Sequence, residues 1–394
     1  MKKKVAIIGG GAAALSVASF LDCDKFDISI YEKNKALGRK FLVAGKGGFN
    51  LTHGEAMSRM ISRYANQLNL NAALYSFTND DFRVWLASIG IPTFVGSSNR
   101  VYPEKGIKPI EVLHAIEKTL VINEVKIHFE KTWAGWNKNE ALLFKDGTTV
   151  SPDYCIFALG GGSWKVTGSD GSWRSNFENV GVKTNIFEAS NCAFQVKWES
   201  QLLKKFAGKP LKNICITCDK KSQKGEVVLS QFGLEGNAIY ALSPEIRKQL
   251  ETGKAIIFID FKPTFSTEAL LEKLTNTKAK NITECLRNEP NLSALQIGLI
   301  KTYVSKDDFN NNVILAEKIK KFSVQIEGIA HLDEAISTVG GIDLEEITPS
   351  FELTKKQNSY CIGEMLDWDA PTGGYLLQAC FSMGYYLAKH LNQE

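Results

Sequence analysis

The stretch VAIIGGGAAALSVASFL, Val5 to Leu21, decides how this chain folds. Val5 to Ile8 are four apolar residues without a polar interruption, the pattern of a strand buried on both faces. Three glycines follow, then a run of small residues suited to a helix that packs closely. Gly9-x-Gly11-x-x-Ala14 is the fingerprint of a strand–turn–helix that binds a dinucleotide. Gly9 permits the tight turn, Gly11 lets the backbone approach a pyrophosphate, and Ala14 lets the helix lie close to the sheet. The helix start at Ala12, Ala13 and Ala14 offers free amides and a positive dipole end to phosphates. FDISIYEKN reads as a second strand ending on Glu32, where a carboxylate binds ribose hydroxyls and repels a 2′-phosphate.

Working outward, the 394 residues suffice for two or three domains, and 44% hydrophobic with 23% charged residues is an ordinary globular balance. A net charge of +4 permits an anionic partner without arguing for one. The eight cysteines have no framework spacing and read as reduced thiols of a cytoplasmic protein. The N-terminal lysines before an apolar run resemble a signal peptide, but the glycine triplet and the lack of an A-x-A site favour the strand reading. No run is long enough to span a membrane. No His, Cys and Asp cluster has metal-ligand spacing.

Residues 38–54 are Gly-rich, residues 55–90 helical, and 125–164 a meander ending on a buried strand and three glycines. From Phe194 short period-2 strands take over, AFQVKWES, NICITCD, GEVVLSQFGL and AIIFIDFKP among them. Residues 266–322 turn helical. The chain closes on SYCIGEM and a Gly-started helix from Gly374. The middle block therefore reads as an insertion into a domain whose pieces lie at both ends. The boundaries expected are 1–192 for the first part of the nucleotide domain, 193–265 for an inserted barrel-like domain, 266–322 for a helical insert and 323–394 for the returning part. A nicotinamide dehydrogenase has little reason to return with such a segment. FAD, being long, needs a second hold for its ribityl and ring end.

GRKFLVAGKGGFNLTH, ALGGGSWKVTGSDGSW, GEVVLSQFGLEGNAIYALS and CIGEMLDWDAPTGGYLLQACFSMGYYLA together resemble, in the same order, the signature segments of the YhiN/BaiN-like flavoproteins. The resemblance covers Val5 to Ala388, and its closing motif is the most specific. Departures lie at Gly48-Phe49-Asn50 and at Glu235-Gly236-Asn237, and they bear on the substrate more than on the cofactor. The resemblance implies an α/β fold: a Rossmann-like, two-dinucleotide-binding-type FAD domain with an inserted β-barrel-like domain and a small helical domain. It implies FAD as cofactor, with NAD(P)H a possible electron donor. The contacts expected are Gly9, Gly11, Ala12, Ala13, Ala14, Glu32, Lys33, Gly38, Arg39 and Lys40 at one end. At the other they are Gly45, Gly47, Gly48, Asn50, Thr52, Ala158, Gly160, Gly161, Gly363, Glu364, Asp367, Gly373, Gly374, Tyr375 and Leu377.

Each candidate has a bland reading beside it. Arg39 and Lys40 neutralise phosphates or form a solvated pair. Lys46, Gly47 and Gly48 place amides near the flavin or form a surface loop. Asn50 and Thr52 bond a ring edge or form a turn. His53 is the one candidate proton donor, set against a surface or helix-start role. Cys215 and Cys218 have C-x-x-C spacing, but strand alternation sends them to opposite faces. Trp164 and Trp173 line a cavity or simply pack. Of the acids near the C-terminus, Glu364 and Asp367 suit the ribityl hydroxyls, while Asp369 suits the loop.

The expected activity is flavin-mediated hydride transfer to an unsaturated substrate. An alternative is a flavin-dependent RNA-modifying enzyme that uses the cluster Lys204, Lys205, Lys209, Lys212, Lys220, Lys221 and Lys224, with Trp198 and Phe206 as stacking groups. A third is a flavin-binding sensor without turnover. The substrate is left open between a small molecule and RNA, with no membrane partner expected.

Overall fold

The computed structural model describes residues 1–43, 49–64 and 70–394. The chain forms two compact units, one of residues 1–189 with 336–394, the other of residues 190–335.

The first unit is built on the opening stretch. Strand β1 (Lys3–Ile8) leads through the glycine turn into helix α1 (Ala12–Phe20) and on to strand β2 (Phe26–Tyr31). The sheet has five parallel strands in the order Ser359–Cys361, Tyr154–Phe157, β1, β2, Lys126–His128. Val5 to Ile8 are buried, as an all-parallel sheet covered on both faces requires. From β1 the chain builds to one side, then crosses to the other. The carboxyl end of β1 is therefore a topological switch point, where open α/β sheets bind ligands. Helix α1 packs on the C-terminal helix Tyr375–Leu391 through its small residues. Ser16 Oγ donates to the Phe381 carbonyl at 2.8 Å, and a Cβ on Gly384 would meet Ser16 Oγ at 2.5 Å. The meander expected at 125–164 resolves into the parallel strand Lys126–His128 and an antiparallel trio, Trp133–Trp136, Leu142–Phe144 and Thr149–Val150.

The second unit holds a sheet ordered Phe322–Ile326, Ala255–Asp260, Lys209–Cys218, Lys221–Leu229, Gly233–Glu235, Phe194–Gln195, Gly328–Ile329. The first and last of these strands are consecutive in the chain, joined by Glu327, whose amide bonds the Gln195 carbonyl at 2.9 Å. One extended segment thus closes both edges, and the sheet curls into a barrel. Helical residues such as Leu270, Leu286, Leu299 and Leu315 share one core with barrel residues Ile216 and Ile257. The return to the first unit falls at 335/336, later than the change of texture at 323 suggests, because Phe322–Ile326 pairs with Ala255–Asp260 and Gly328–Ile329 with Phe194–Gln195.

Candidate functional site

At the carboxyl end of β1, Gly9 has φ +107°, and a Cβ there would stand 2.4 Å from the Ala158 carbonyl oxygen. No other residue fits this turn. Gly11 has an ordinary φ of −84°, yet a Cβ on it would meet nothing within 4 Å. Gly11 therefore leaves open space above the helix start rather than relieving a clash. It caps α1 with no side-chain bond, and the first amide to bond back is Leu15, to the Gly11 carbonyl. The amides of Ala12, Ala13 and Ala14 precede that bond. A bare, open helix start with donors to spare fits a pyrophosphate.

Glu32 is nearly buried at the end of β2. It accepts the Gly10 amide at 2.7 Å, the Asn34 amide at 2.8 Å and Asn34 Nδ2 at 2.6 Å. Three donors fix the carboxylate beside the glycine turn, where ribose hydroxyls would meet it. Arg39 donates to Asn34 Oδ1 and to the Val166 carbonyl, and Lys33 pairs with Asp170 at 2.9 Å. Both basic residues therefore stitch the 160–171 loop to the end of β2. Gly38, at φ +61°, sits 2.8 Å (from its would-be Cβ) off Leu113 and donates its amide to Gly10.

The other end of the sequence arrives at the same place. Gly363 has φ +84°, and its Cβ would stand 2.9 Å from Ala13 Cβ in α1. The following Glu364 pairs with Lys40 at 3.1 Å, and Lys40 also donates to Ser163 Oγ at 3.1 Å. Gly160 accepts the Trp173 indole at 3.0 Å. A Cβ on Gly161 would fall 2.2 Å from Thr338 Oγ1 and 3.4 Å from the Glu364 carbonyl. Ala158, Gly160, Gly161, Lys40 and Glu364 are thus one neighbourhood. Asp367 is half-buried, and each of its carboxylate oxygens has a donor within the protein. Its carboxylate accepts the Gly340 amide at 2.9 Å and Asn185 Nδ2 at 2.7 Å, so it ties together the strands Thr184–Ser190 and Ser337–Ile342.

The Gly-Gly turn before the last helix carries φ +123° at Gly373 and +99° at Gly374. A Cβ on Gly374 would meet Thr52 Cα at 2.5 Å, and one on Gly373 would lie 3.5 Å from Arg100 Nε. Thr52, expected at a ring edge, is fully buried and donates instead to Gln378 Oε1 at 2.6 Å; Gln378 in turn bonds the Phe77 carbonyl and Ser382. Asn50 and Leu377 are half-buried. Gly45, Lys46, Gly47 and Gly48 lie outside the described residues.

Beside this turn is a cluster that no sequence motif announced. The Tyr375 hydroxyl donates to Glu55 Oε1 at 2.5 Å, and Arg63 donates to both Glu55 oxygens at 3.3 Å. His53 stacks on Tyr375 at 5.1 Å, and its Nδ1 accepts the Glu55 amide at 3.2 Å. An acceptor at Nδ1 puts the proton of the neutral ring on Nε2. Burial pushes His53 down from the usual histidine range. Burial pushes Glu55 up, but the bonds from Arg63 and Tyr375 outweigh it and hold the carboxyl below its usual range. Burial and the neighbouring Glu55 raise the Tyr375 phenol. Glu55 and Arg63 escaped notice because short spacing carries no signal when the partner lies far along the chain.

Among the described residues no group of His, Cys, Asp and Glu is placed to hold a metal, and no helix is long and apolar enough to cross a membrane. Cys218 is buried and Cys215 half-buried, on opposite faces of Lys209–Cys218. The lysines from 204 to 224 are exposed. Trp198 and Phe206, expected beside them as stacking groups, are buried in the core of the second unit, and the Trp198 indole bonds the Gly233 carbonyl at 3.1 Å.

Residues 3–390 match the family described as the HI0933-like protein Rossmann domain. The chain is 24% identical to a 3-dehydro-bile acid delta(4,6)-reductase of Clostridium scindens, over 97% of each chain. It is 22% identical to a ribosomal RNA dihydrouridine synthase of Haemophilus influenzae, over 98% of each. Among solved structures, a 3-ketosteroid-delta4-(5alpha)-dehydrogenase of Rhodococcus jostii RHA1 aligns with 99% of this chain and 96% of its own, at 12% identity and a TM-score of 0.47. With one family profile spanning nearly its whole length, the chain belongs to the HI0933-like Rossmann-domain family and is an FAD-dependent oxidoreductase.

Proposed function

We propose that this FAD-dependent oxidoreductase delivers hydride, drawn from NAD(P)H, to an unsaturated bond of its substrate. The observation that carries the reading is the meeting of Gly363 with Ala13, which brings the Gly-Glu turn of the closing motif onto the start of α1. A long dinucleotide needs both holds, and here one cradle is made from both ends of the chain. FAD, when bound, supplies the hydride chemistry at its ring; the protein supplies binding, orientation and charge. Gly11 leaves room for the pyrophosphate, and Ala12, Ala13 and Ala14 donate to it. Glu32 takes ribose hydroxyls. Glu364, oriented by Lys40, takes ribityl hydroxyls. The amides of Gly373, Gly374 and Tyr375, at the positive end of the last helix, stabilise negative charge that develops at the ring. His53 has its Nδ1 committed to Glu55 and orders the turn; proton donation falls to its Nε2 or to the Tyr375–Glu55 pair.

The relatives' names support reduction as the reaction class, since one is a bile-acid reductase and another a dihydrouridine synthase. The reading includes a cytoplasmic setting, in keeping with eight free thiols. The experiment is anaerobic: purified protein is mixed with NADH or NADPH and the flavin absorbance followed. Protein without flavin absorbance that takes up no FAD ends the reading, and FAD-bound protein that neither donor bleaches points to the sensor alternative.

A second reading takes RNA as the substrate. Its support is the exposed lysine-rich hairpin Lys209–Cys218 and Lys221–Leu229 together with the second relative's name. Reversing charge at Lys204, Lys205, Lys220 and Lys221 should weaken RNA binding and flatten its salt dependence. Unchanged binding removes this surface from consideration.

A further inference from the structure

Trp164 carries two anomalies at once. Its backbone is left-handed, φ 62° and ψ 59°, a region that bulky L-residues avoid. Its indole Nε1 is buried and has no hydrogen-bond partner among the described residues. The neighbouring indoles are not left so. Trp173 donates to the Gly160 carbonyl at 3.0 Å and Trp368 to the Gly363 carbonyl at 2.9 Å. Trp133 also lacks a partner, but its ring is enclosed by the aromatic faces of Trp136, Phe157 and Phe177, and its backbone is not left-handed.

The left-handed turn is held from several sides. The Thr167 amide and hydroxyl both donate to the Trp164 carbonyl at 2.8 Å. The preceding residue, Ser163, is held by Lys40, and Val166 beyond it by Arg39. Two consecutive basic residues thus pin the chain on either side of Trp164. A conformation maintained against its own preference, presenting a desolvated donor, marks a place where an acceptor belongs.

We propose that the Trp164 indole donates a hydrogen bond to an acceptor oxygen of the bound flavin nucleotide. This rests on the FAD reading above. The position supports the nucleotide as the source of that oxygen. One flanking residue is tied to Lys40 and through it to Glu364, assigned to the ribityl chain. The other is tied to Arg39 and through it to Asn34 and Glu32, assigned to the ribose. Between those two assignments lie only the pyrophosphate and ribityl oxygens of the cofactor.

The test is a titration of flavin-stripped full-length protein with FAD, parent against Trp164→Phe, which keeps an aromatic ring and removes the donor. The variant should bind FAD roughly three- to tenfold more weakly if the acceptor is a neutral ribityl oxygen, and by more than about tenfold if it is the charged pyrophosphate. Riboflavin, which lacks phosphates, separates the two oxygens: a loss seen with both ligands places the bond on the ribityl chain, and a loss seen with FAD alone places it on the pyrophosphate. In parent protein labelled with nitrogen-15, the indole resonance missing from Trp164→Phe should move downfield when FAD is added. Equal FAD affinity in parent and variant, or an indole resonance that FAD does not move, overturns the proposal while leaving the flavin reading intact. A parent that takes up no FAD overturns both.

Discussion

Lys40 Nζ stands 3.1 Å from Glu364 Oε2, an ion pair that joins the first sixth of the chain to its closing motif. The lysine side chain is 29% exposed and the carboxylate 15%, so water screens the pair only in part. A partly buried pair costs most when one member is removed alone, because the survivor keeps its desolvation without its partner. Lys40→Met and Glu364→Gln should therefore each destabilise the flavin-free protein, with a coupling of about 1–2 kcal/mol in the double-mutant cycle. Urea unfolding of the four proteins measures it. Strict additivity would show that the pair holds nothing, and Glu364 would lose its stated means of orientation.

Gly11 and Gly374 make opposite predictions from the same substitution. A Cβ on Gly11 enters open space at an ordinary φ, while one on Gly374 lies 2.5 Å from Thr52 Cα at φ +99°. Gly374→Ala should cost on the order of 2–4 kcal/mol of stability, from backbone clash and left-handed strain together. Gly11→Ala should leave the melting temperature of the flavin-free protein within a degree or two, an effect of about 0.5 kcal/mol or less. It should still weaken FAD binding by roughly tenfold or more, because the methyl group takes the space meant for the pyrophosphate. Gly11→Ala protein that binds FAD like the parent would relocate the phosphates.

The strand–turn–helix at Val5 to Leu21 was legible because every one of its constraints is local: an apolar run, a turn only glycine can make, a helix of small residues. The same holds for Glu32, whose position follows from the end of a strand. Thr52 was misread because its polar partner, Gln378, lies on the last helix, and only the folded chain shows that its hydroxyl is spent in the core. The bonds of Asp367 were hidden for the same reason, its partners being Gly340 and Asn185. Trp198 and Phe206 sit in a stretch that looked basic, but Phe206 lies on the buried face of the helix Ser200–Phe206, and the indole of Trp198 bonds inward to the Gly233 carbonyl. Glu55 and Arg63 carried no sequence signal, since what distinguishes them is Tyr375, more than three hundred residues away.

Glu32 offers a sharper test of the ribose end. Its oxygens accept three N–H groups, two of them from Asn34 and one from Gly10. In Glu32→Gln one oxygen becomes an amide donor and meets a donor head-on, leaving a buried N–H unsatisfied at a cost of about 1–3 kcal/mol. The variant should melt lower and bind FAD more weakly. Glu32→Asp keeps the charge but falls short of Gly10, so it should lose affinity while losing less stability. A Glu32→Gln protein with the parent's melting temperature would show that the three bonds do not persist in solution.

The cluster around Tyr375 predicts how stability changes in acid. His53 is lowered from its ordinary 6.5, first by burial and further by Arg63 and Arg100, with Glu55 opposing. The unfolded chain then binds a proton that the folded chain refuses, so the neutral ring's contribution is complete above pH 6.5 and lost as the pH falls through the lower folded value. Glu55 is pushed up by burial but held below its ordinary 4.5 by Arg63 and Tyr375, so it acts in the same direction at lower pH. Its contribution is complete above pH 4.5 and disappears as the pH falls through its folded value. Unfolding free energy should therefore decline in two stages on acidification, the first beginning near pH 6.5 and the second near pH 4.5. His53→Gln should shrink the first stage to the share left by His128, which burial also lowers, and keep the second. Glu55→Gln should shrink the second, and it should deepen the first, because His53 loses the carboxylate that opposes its lowering and falls further below its ordinary value. Urea unfolding on the three proteins, from pH 8 down to about pH 2, reads both stages. Identical pH profiles in parent and His53→Gln would mean that the ring titrates as it does in the unfolded chain, and that its stacking on Tyr375 does not bury it.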